Sequence, residues 1–316
     1  MVTLKRVDEP FRAEYTGWAK KLGIVETPIV DMSFLSQNPQ MRILAKDESA
    51  QVTGSYKSIP ALAILLQSIK SHGITPIVDA SSGNYAVAMA YFAPKMRFND
   101  ITLFIPEKFA ESFSNYLRDK GINPNSIKVF SKGIQNSDDA RTEAAIYAQN
   151  HPETRLLDQY ASLLNPESHY NFTAGEIISQ LGIAHAPTHF ISCIGSGGAL
   201  IGVGTRLKDE YKTKVIGIQL TKKTIPGATR DLSNQLTLPG ICSDLKSNID
   251  SLMDINTDEV LAFEKMMLLN PDHPLSSYGG SSFVNVYAAY QLSKEIEGTG
   301  TILTVIPGMR RENEQH

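Results

Sequence analysis

Short apolar strands alternate with helices along most of this chain, and no other feature constrains its fold as tightly. Apolar runs predict strands at 74–80, 100–106, 126–130, 188–194, 213–220 and 300–307. Between them lie helical patterns at 84–93, 108–121, 137–150, 198–211, 257–268 and about 282–297. Gly121 reads as a C-cap and Ser137 as an N-cap followed by early acids. Strands bounded by helices in this way imply an α/β fold with mostly parallel, open sheets. The pattern falls into two blocks, about 48–163 and 164–316. In such sheets, ligands bind beyond the carboxyl ends of the strands, in loops that open helices.

Composition narrows the function classes. A formal net charge of −3 argues against nucleic acid as the main partner, because phosphate backbones require basic surfaces. The two cysteines, Cys193 and Cys242, provide no disulfide framework and fit a reducing cytoplasm. The opening "MVTLKRVDEPFRAEY" has no apolar core of a secretory signal, and no apolar run is long enough to span a membrane. The seven histidines and two cysteines show no metal-ligand spacing, so no metal is expected. No Gly-x-Ser-x-Gly elbow marks a serine hydrolase.

Three helix-opening loops carry the chemistry. The first is "TGSYK", 53–57, whose Lys57 stands at the mouth of a strongly apolar helix, "SIPALAILL". Lysine there is either a solvated helix-start residue or an amine held for use. The second is "GSGGA", 195–199, where Gly195, Ser196, Gly197, Gly198 and Ala199 leave backbone N–H groups free to converge on an anion. A glycine-rich turn of this kind also arises from tight strand–helix geometry alone. The third is "SSGN", 81–84, which packs hydroxyls, amides and a carboxamide into one turn that can receive a carboxylate or simply cap a helix.

Taken together the loops resemble the fold-type II pyridoxal-phosphate enzymes of the cysteine synthase and cystathionine β-synthase family. The family's Lys-x-Glu and Gly-Ser-x-Lys motifs are matched by Lys46-Asp47-Glu48 and Gly54-Ser55-Tyr56-Lys57. Its Ser-Gly-Asn loop is matched at Ser82-Gly83-Asn84, and its Gln…Asn-Pro…His stretch at 158–177. The glycine cradle at 195–204, the late Ser281-Ser282 pair and the early "GIVETPIV" follow in family order, over roughly 20–307.

The resemblance implies two three-layer α/β/α domains, like those of the tryptophan synthase β subunit. A large cofactor-anchoring domain would comprise 1–47 and 164–316, and a small mobile one 48–163. It implies pyridoxal 5′-phosphate held covalently by Lys57, with its phosphate on Gly195, Ser196, Gly197, Gly198 and Ala199. Asn84 would meet the ring hydroxyl and Ser281 the pyridine nitrogen. Ser81, Ser82, Gly83, Asn84 and Gln159 would receive the substrate carboxylate. For Lys57 to act as an amine its cation must be disfavoured, and partial burial and the helix dipole both push that way. The implied reaction is β-elimination or β-replacement on an O-acetylserine-, O-phosphoserine- or serine-type amino acid, through an aminoacrylate intermediate, with a small nucleophile as second substrate. A cytoplasmic homodimer is implied as well.

Several positions depart from the pattern. Ser58-Ile59 replaces the usual Asp-Arg after the lysine, Ala199 replaces a threonine, and Tyr85 stands where the carboxylate loop normally has threonine. Tyr85 is expected to line the substrate side of the loop; the alternative is that it points to solvent. Such departures suit a specialised paralogue making a non-protein amino acid. Serine/threonine dehydratase and threonine synthase are the alternative activities, and a catalytically inactive binding scaffold is the alternative of a different class.

Overall fold

A computed structural model describes residues 3–81, 83–123, 126–222, 225, 240–270 and 272–310. Ser82, expected in the carboxylate loop, lies outside the described residues. Among the described residues the strands are β1 (Ile29–Asp31), β2 (Met41–Asp47), β3 (Ile77–Ala80), β4 (Ile101–Phe104), β5 (Lys128–Phe130), β6 (Arg155–Leu156), β7 (His189–Cys193), β8 (Lys214–Thr221), β9 (Ser251–Asn256) and β10 (Gly300–Ile306). The helices are α1 (Glu9–Leu22), α2 (Ser58–His72), α3 (Asn84–Phe92), α4 (Ala110–Asp119), α5 (Ser137–Asn150), α6 (Leu164–Ser168), α7 (Ala174–Leu181), α8 (Gly198–Tyr211), α9 (Thr257–Leu268) and α10 (Gly280–Glu295). Every strand and helix expected from the sequence is present. Five of the six expected strands are shorter than expected, and β8 is shifted by one residue to Lys214–Thr221. One cap differs from expectation: Asn136, not Ser137, caps α5 by accepting from the Asp138 and Asp139 amides. Helix α4 is closed as expected by Gly121, which follows the Lys120 cap at φ 67° and donates to the Arg118 carbonyl at 2.9 Å.

The chain forms two compact units. The first contains Met1–Val7, Glu26–Tyr56 and Pro166–His316; the second contains Asp8–Val25 and Lys57–Asn165. Residues 48–56 therefore group with the first unit and residues 8–25 with the second.

The first unit is built on a six-stranded sheet in the order β1-β2-β10-β7-β8-β9. Only β1 runs antiparallel to its neighbour; the other pairings are parallel. Parallel strands are covered on both faces, and their side chains alternate between the two. Ile191 and Cys193, Ile216, Ile218 and Leu220, and Ile302 and Ile306 join Phe283, Val284 and Tyr287 of α10 and Val260 and Phe263 of α9 in one core. On β8 the residues of opposite parity meet α8. A Cβ on Gly204 would approach Val215 Cγ1 to 2.6 Å, and one on Gly217 would come within 3.2 Å of Leu200 Cδ2. Each buried Ile, Leu or Val contributes roughly 1.5–3 kcal/mol.

The second unit has an all-parallel four-stranded sheet, β5-β4-β3-β6. Val78, Ala80 and Phe104 pack on Ala140 and Ala144 of α5. Helix α2 is buried from Ser58 through Leu66, and α3 from Tyr85 through Ala90. These runs look uniformly apolar in sequence because both helices are enclosed on all sides.

Candidate active site

In each sheet the strand order reverses direction once, and the chemistry-bearing loops lie where it does. In the first unit, β7 has β8 on one side, reached through α8, and β10 on the other, reached through α10. Ligand-binding crevices open at such points, outside the carboxyl ends of the strands.

The glycine loop leaves β7 there. Gly197 takes φ 83°, a left-handed conformation that glycine adopts without strain. No side chain caps α8, so its first-turn N–H groups point outward without an intrahelical partner. Ser196 is buried, with its Oγ 3.5 Å from the Gly198 amide, and Ala199 is buried. An anion of phosphate size suits this positive, bulk-free helix start.

The end of β10 lies beside that of β7. Just past it, Ser55 bridges to Gly308, and the Tyr56 amide donates to the Pro307 carbonyl at 3.0 Å. Tyr56 is steadied further by His169, whose ring lies 5.3 Å away. Lys57 is the next residue in the chain. The start of α10 reaches the same strand end. The Gly279 amide donates to the Gly308 carbonyl at 3.1 Å, and Ser282 Oγ donates to that carbonyl at 3.0 Å. Ser282 is fully buried by this arrangement, whereas Ser281, the other hydroxyl of the pair, is half-buried.

Sequence reasoning missed Asn285 of α10. Its Oδ1 accepts from the Cys193 amide at 2.7 Å and its Nδ2 donates to the Val305 carbonyl at 2.8 Å. It is fully buried and ties the last residues of β7 and β10 together. The available signal was a carboxamide inside an otherwise apolar helical run.

The second unit repeats the geometry. Strand β3 lies between β4 and β6, so the 81–84 loop and the 157–160 segment leave adjacent parallel strands at the same edge. Ser81 is buried and its Oγ accepts from the Gly83 amide at 3.3 Å. No side chain caps α3, and Gly83 and Asn84 are half-buried at its start. Gln159 is 2% exposed, its carbonyl held by Asn165 Nδ2 at 3.0 Å. Before it, Asp158 turns the chain at φ 39° and accepts from the Tyr160 amide at 3.0 Å. Lys57 is the residue immediately before α2, half-buried, and its Nζ donates to Gln159 Oε1 at 3.2 Å. Lys57, Gln159 and the 81–84 loop are thus all carried by this one unit. Ser58 and Ile59, where the family has charges, are buried in the first turn of α2.

Tyr85 is 1% exposed, so it neither points to solvent nor lines open space on the substrate side of the loop, the position expected from the sequence. Its phenol lies against the carboxylate of Asp79 on β3, although neither Tyr85 OH nor Asp79 Oδ2 closes a hydrogen bond. Burial first, and then the Asp79 charge, push the phenol well above its ordinary range, so it stays neutral. Burial pushes Asp79 itself up to about 7, helped by the charge of Asp158; the Ala80 amide, Tyr85 and Arg141 pull the other way.

Among the described residues no group of histidine, cysteine, aspartate or glutamate side chains is placed to hold a metal ion. No helix among them is long and apolar enough to cross a membrane.

Comparison with known proteins places this geometry. Cysteine synthase B of Pseudomonas aeruginosa is 29% identical over 276 residues, covering 86% of this chain and 87% of that protein. The O-acetylserine dependent cystathionine β-synthase of Helicobacter pylori superposes with a TM-score of 0.76 at 22% identity, covering 93% of this chain and 96% of the other. An O-ureido-L-serine synthase superposes with a TM-score of 0.77 at 20% identity, covering 91% and 90%. The two structures share the fold of this chain. The family model described as "Pyridoxal-phosphate dependent enzyme" matches residues 20–308, a span that holds the glycine loop, the serine pair and Lys57, and the chain therefore belongs to that family of enzymes, with pyridoxal phosphate as its cofactor.

Proposed function

We propose that this enzyme performs β-replacement on a β-substituted L-amino acid of the O-acetylserine, O-phosphoserine or serine type, with a small nucleophile as second substrate. The observation that carries the reading is the chain path in the first unit. Pro307 and Gly308, just past β10, hold Ser55 and Tyr56, with Lys57 next in sequence, while the uncapped glycine loop leaves the neighbouring strand. Similarity to cysteine synthase B supports the choice of reaction.

The residues fit the cofactor. Gly195, Ser196, Gly197, Gly198 and Ala199 would hold its phosphate, Ser281 its ring nitrogen and Asn84 its ring hydroxyl, with Lys57 as the point of covalent attachment. When bound, pyridoxal phosphate supplies an electron sink that acidifies the Cα–H of an attached amino acid and lets a β-substituent depart. Lys57 Nζ takes and returns the Cα proton, a step that typically contributes about 10²–10⁴-fold. Its hydrogen bond to Gln159 orients that amine. Ser81, Ser82, Gly83, Asn84 and Gln159 receive the substrate carboxylate, and Tyr85 shapes their loop. A neutral hydroxyl at Ser281 leaves the ring nitrogen unprotonated and the sink weak, which favours fast departure of a β-group over transamination.

The reading extends to a cytoplasmic homodimer whose second unit, Asp8–Val25 and Lys57–Asn165 rather than 48–163, closes on substrate and excludes water. Two buried free cysteines are consistent with a reducing compartment.

The test incubates the holoenzyme with O-acetylserine, O-phosphoserine, serine and cysteine, with and without sulfide. Cofactor absorbance and amino-acid products are followed. A β-substituted amino-acid product formed only with nucleophile supports the proposal. Pyruvate and ammonia from serine, indifferent to nucleophile, would make the enzyme a dehydratase and overturn it. Borohydride reduction and peptide mapping should place the cofactor on Lys57.

A further inference from the structure

We propose that Asp79 is a positioning residue for the 81–84 loop, joined to Tyr85 across its base, and that the charge on Asp79 sets how strongly the loop holds an anion. The proposal rests on the reading of that loop as the receiver of the substrate carboxylate.

The geometry comes first. Asp79 is the penultimate residue of β3 and Tyr85 the second residue of α3, so the two flank the loop in sequence. Both side chains are buried, at 2% and 1% exposure, and the phenol lies against the carboxylate. Asp79 Oδ1 accepts from the Ala80 amide at 2.7 Å, which fixes the carboxyl to the backbone entering the loop. The pair therefore joins the strand that enters the loop to the helix that leaves it, with one side chain from each.

A buried carboxylate without full hydrogen bonding is costly, and this one has an unsatisfied Oδ2. The groups facing it are few. Helix α3 contributes Tyr85, α5 contributes Arg141, the segment after β6 contributes Asp158, and the register partner on β4 is the uncharged Leu103. Arg141 is already paired with Asp158, Nη2 to Oδ2 at 3.3 Å, so its charge is shared. A cavity of about 310 Å³, lined by Asp79, Asp138, Arg141, Thr142 and Asp158 among others, gives the carboxyl a route for proton exchange.

An anion bound at the loop would lie a few residues from this carboxyl and repel its charged form. Two unit charges about 10 Å apart, at an effective dielectric near 20, alter affinity on the order of tenfold. With Asp79 pushed up to about 7, carboxylate affinity should fall as pH rises through neutrality, and binding below the break should be unaffected by Asp79 charge. By linkage, a carboxylate bound near pH 7 should draw a proton onto Asp79.

The experiment is calorimetry of propionate, a carboxylate without an amine, binding to the holoenzyme from pH 6 to 8. Two buffers of different ionisation heat are used, so that proton uptake is counted directly. Wild type should lose about tenfold in affinity across the range and take up a fraction of a proton near pH 7. Asp79→Asn should keep the tighter affinity throughout with no uptake. Should that variant not fold, Tyr85→Phe serves instead: losing the phenol dipole beside the carboxylate, which pulls Asp79 down, should move the break to higher pH. An Asp79→Asn protein that keeps the wild-type pH dependence, or a Tyr85→Phe break that stays in place, overturns the proposal. Asn84→Ala separates it from the reading beneath. If Asn84→Ala weakens propionate while the Asp79 effects are absent, only the positioning role fails. If Asn84→Ala leaves affinity unchanged, the loop is not the receiver and both fail.

Discussion

The Lys57 amine donates to the Gln159 carboxamide at 3.2 Å, joining the first residue before α2 to the segment that follows β6. Gln159 is itself fixed through its own carbonyl by Asn165. A hydrogen bond from Gln159 to the charged substrate carboxylate contributes about 1.5–3 kcal/mol, so Gln159→Leu should lower kcat/KM about 10–100-fold. The loss should divide between KM, through the carboxylate, and kcat, through the orientation of the amine. Steady-state kinetics on the preferred amino acid check it; unchanged constants would show that Gln159 has no part in the chemistry.

Asn285 should matter for stability before chemistry. Asn285→Leu leaves the buried Cys193 amide and Val305 carbonyl unpaired, at about 1–3 kcal/mol for each such group. The expected outcome is a lower denaturation midpoint and weaker retention of pyridoxal phosphate, because the ends of β7 and β10 carry the glycine loop and the serine pair. Urea titration and cofactor dissociation rates measure the two effects separately.

Glu48 should make stability depend on pH. It is fully buried, accepting from Thr27 Oγ1 at 3.2 Å and Gln51 Nε2 at 3.2 Å. Burial, and then the Glu176 charge, push it up to about 7, against the pull of Lys46. A carboxyl raised in the folded state stabilises while protonated. Its contribution is full below the ordinary carboxylate range and is lost as pH rises through about 7. Denaturation across pH 4–8 should therefore show a loss of about 1–3 kcal/mol that Glu48→Gln flattens. Equal pH slopes in the two proteins would refute this.

Much of the fold was legible because its elements announce themselves locally. Helices α8 and α9 lie where their residues predicted, each bounded by glycine or asparagine at its start. Other elements were less visible. Helix α1 carries few apolar residues, and its buried side chains are only Phe11, Tyr15 and Leu22. Its cap was nonetheless written in Asp8, which accepts from the Phe11 amide at 2.8 Å. The edge strand β9 is half-exposed and mixes Asp254 with Leu252 and Met253, so it has no clean apolar run.

By itself, the sequence determined the chemistry available to this protein: a lysine before an apolar helix, a glycine loop and a serine–asparagine turn, each opening a helix whose backbone N–H groups need partners. Those are local properties, set by residue type and backbone conformation. Tertiary structure alone decided which of them are used. Strand order brings the glycine loop and the serine pair to neighbouring strand ends, where the Gly308 carbonyl takes up Ser282. It also turns Tyr85 inward onto Asp79, a contact that depends on how α3 packs over β3. Pairing between distant segments depends on sheet order and burial, and neither is encoded in any short stretch of the chain.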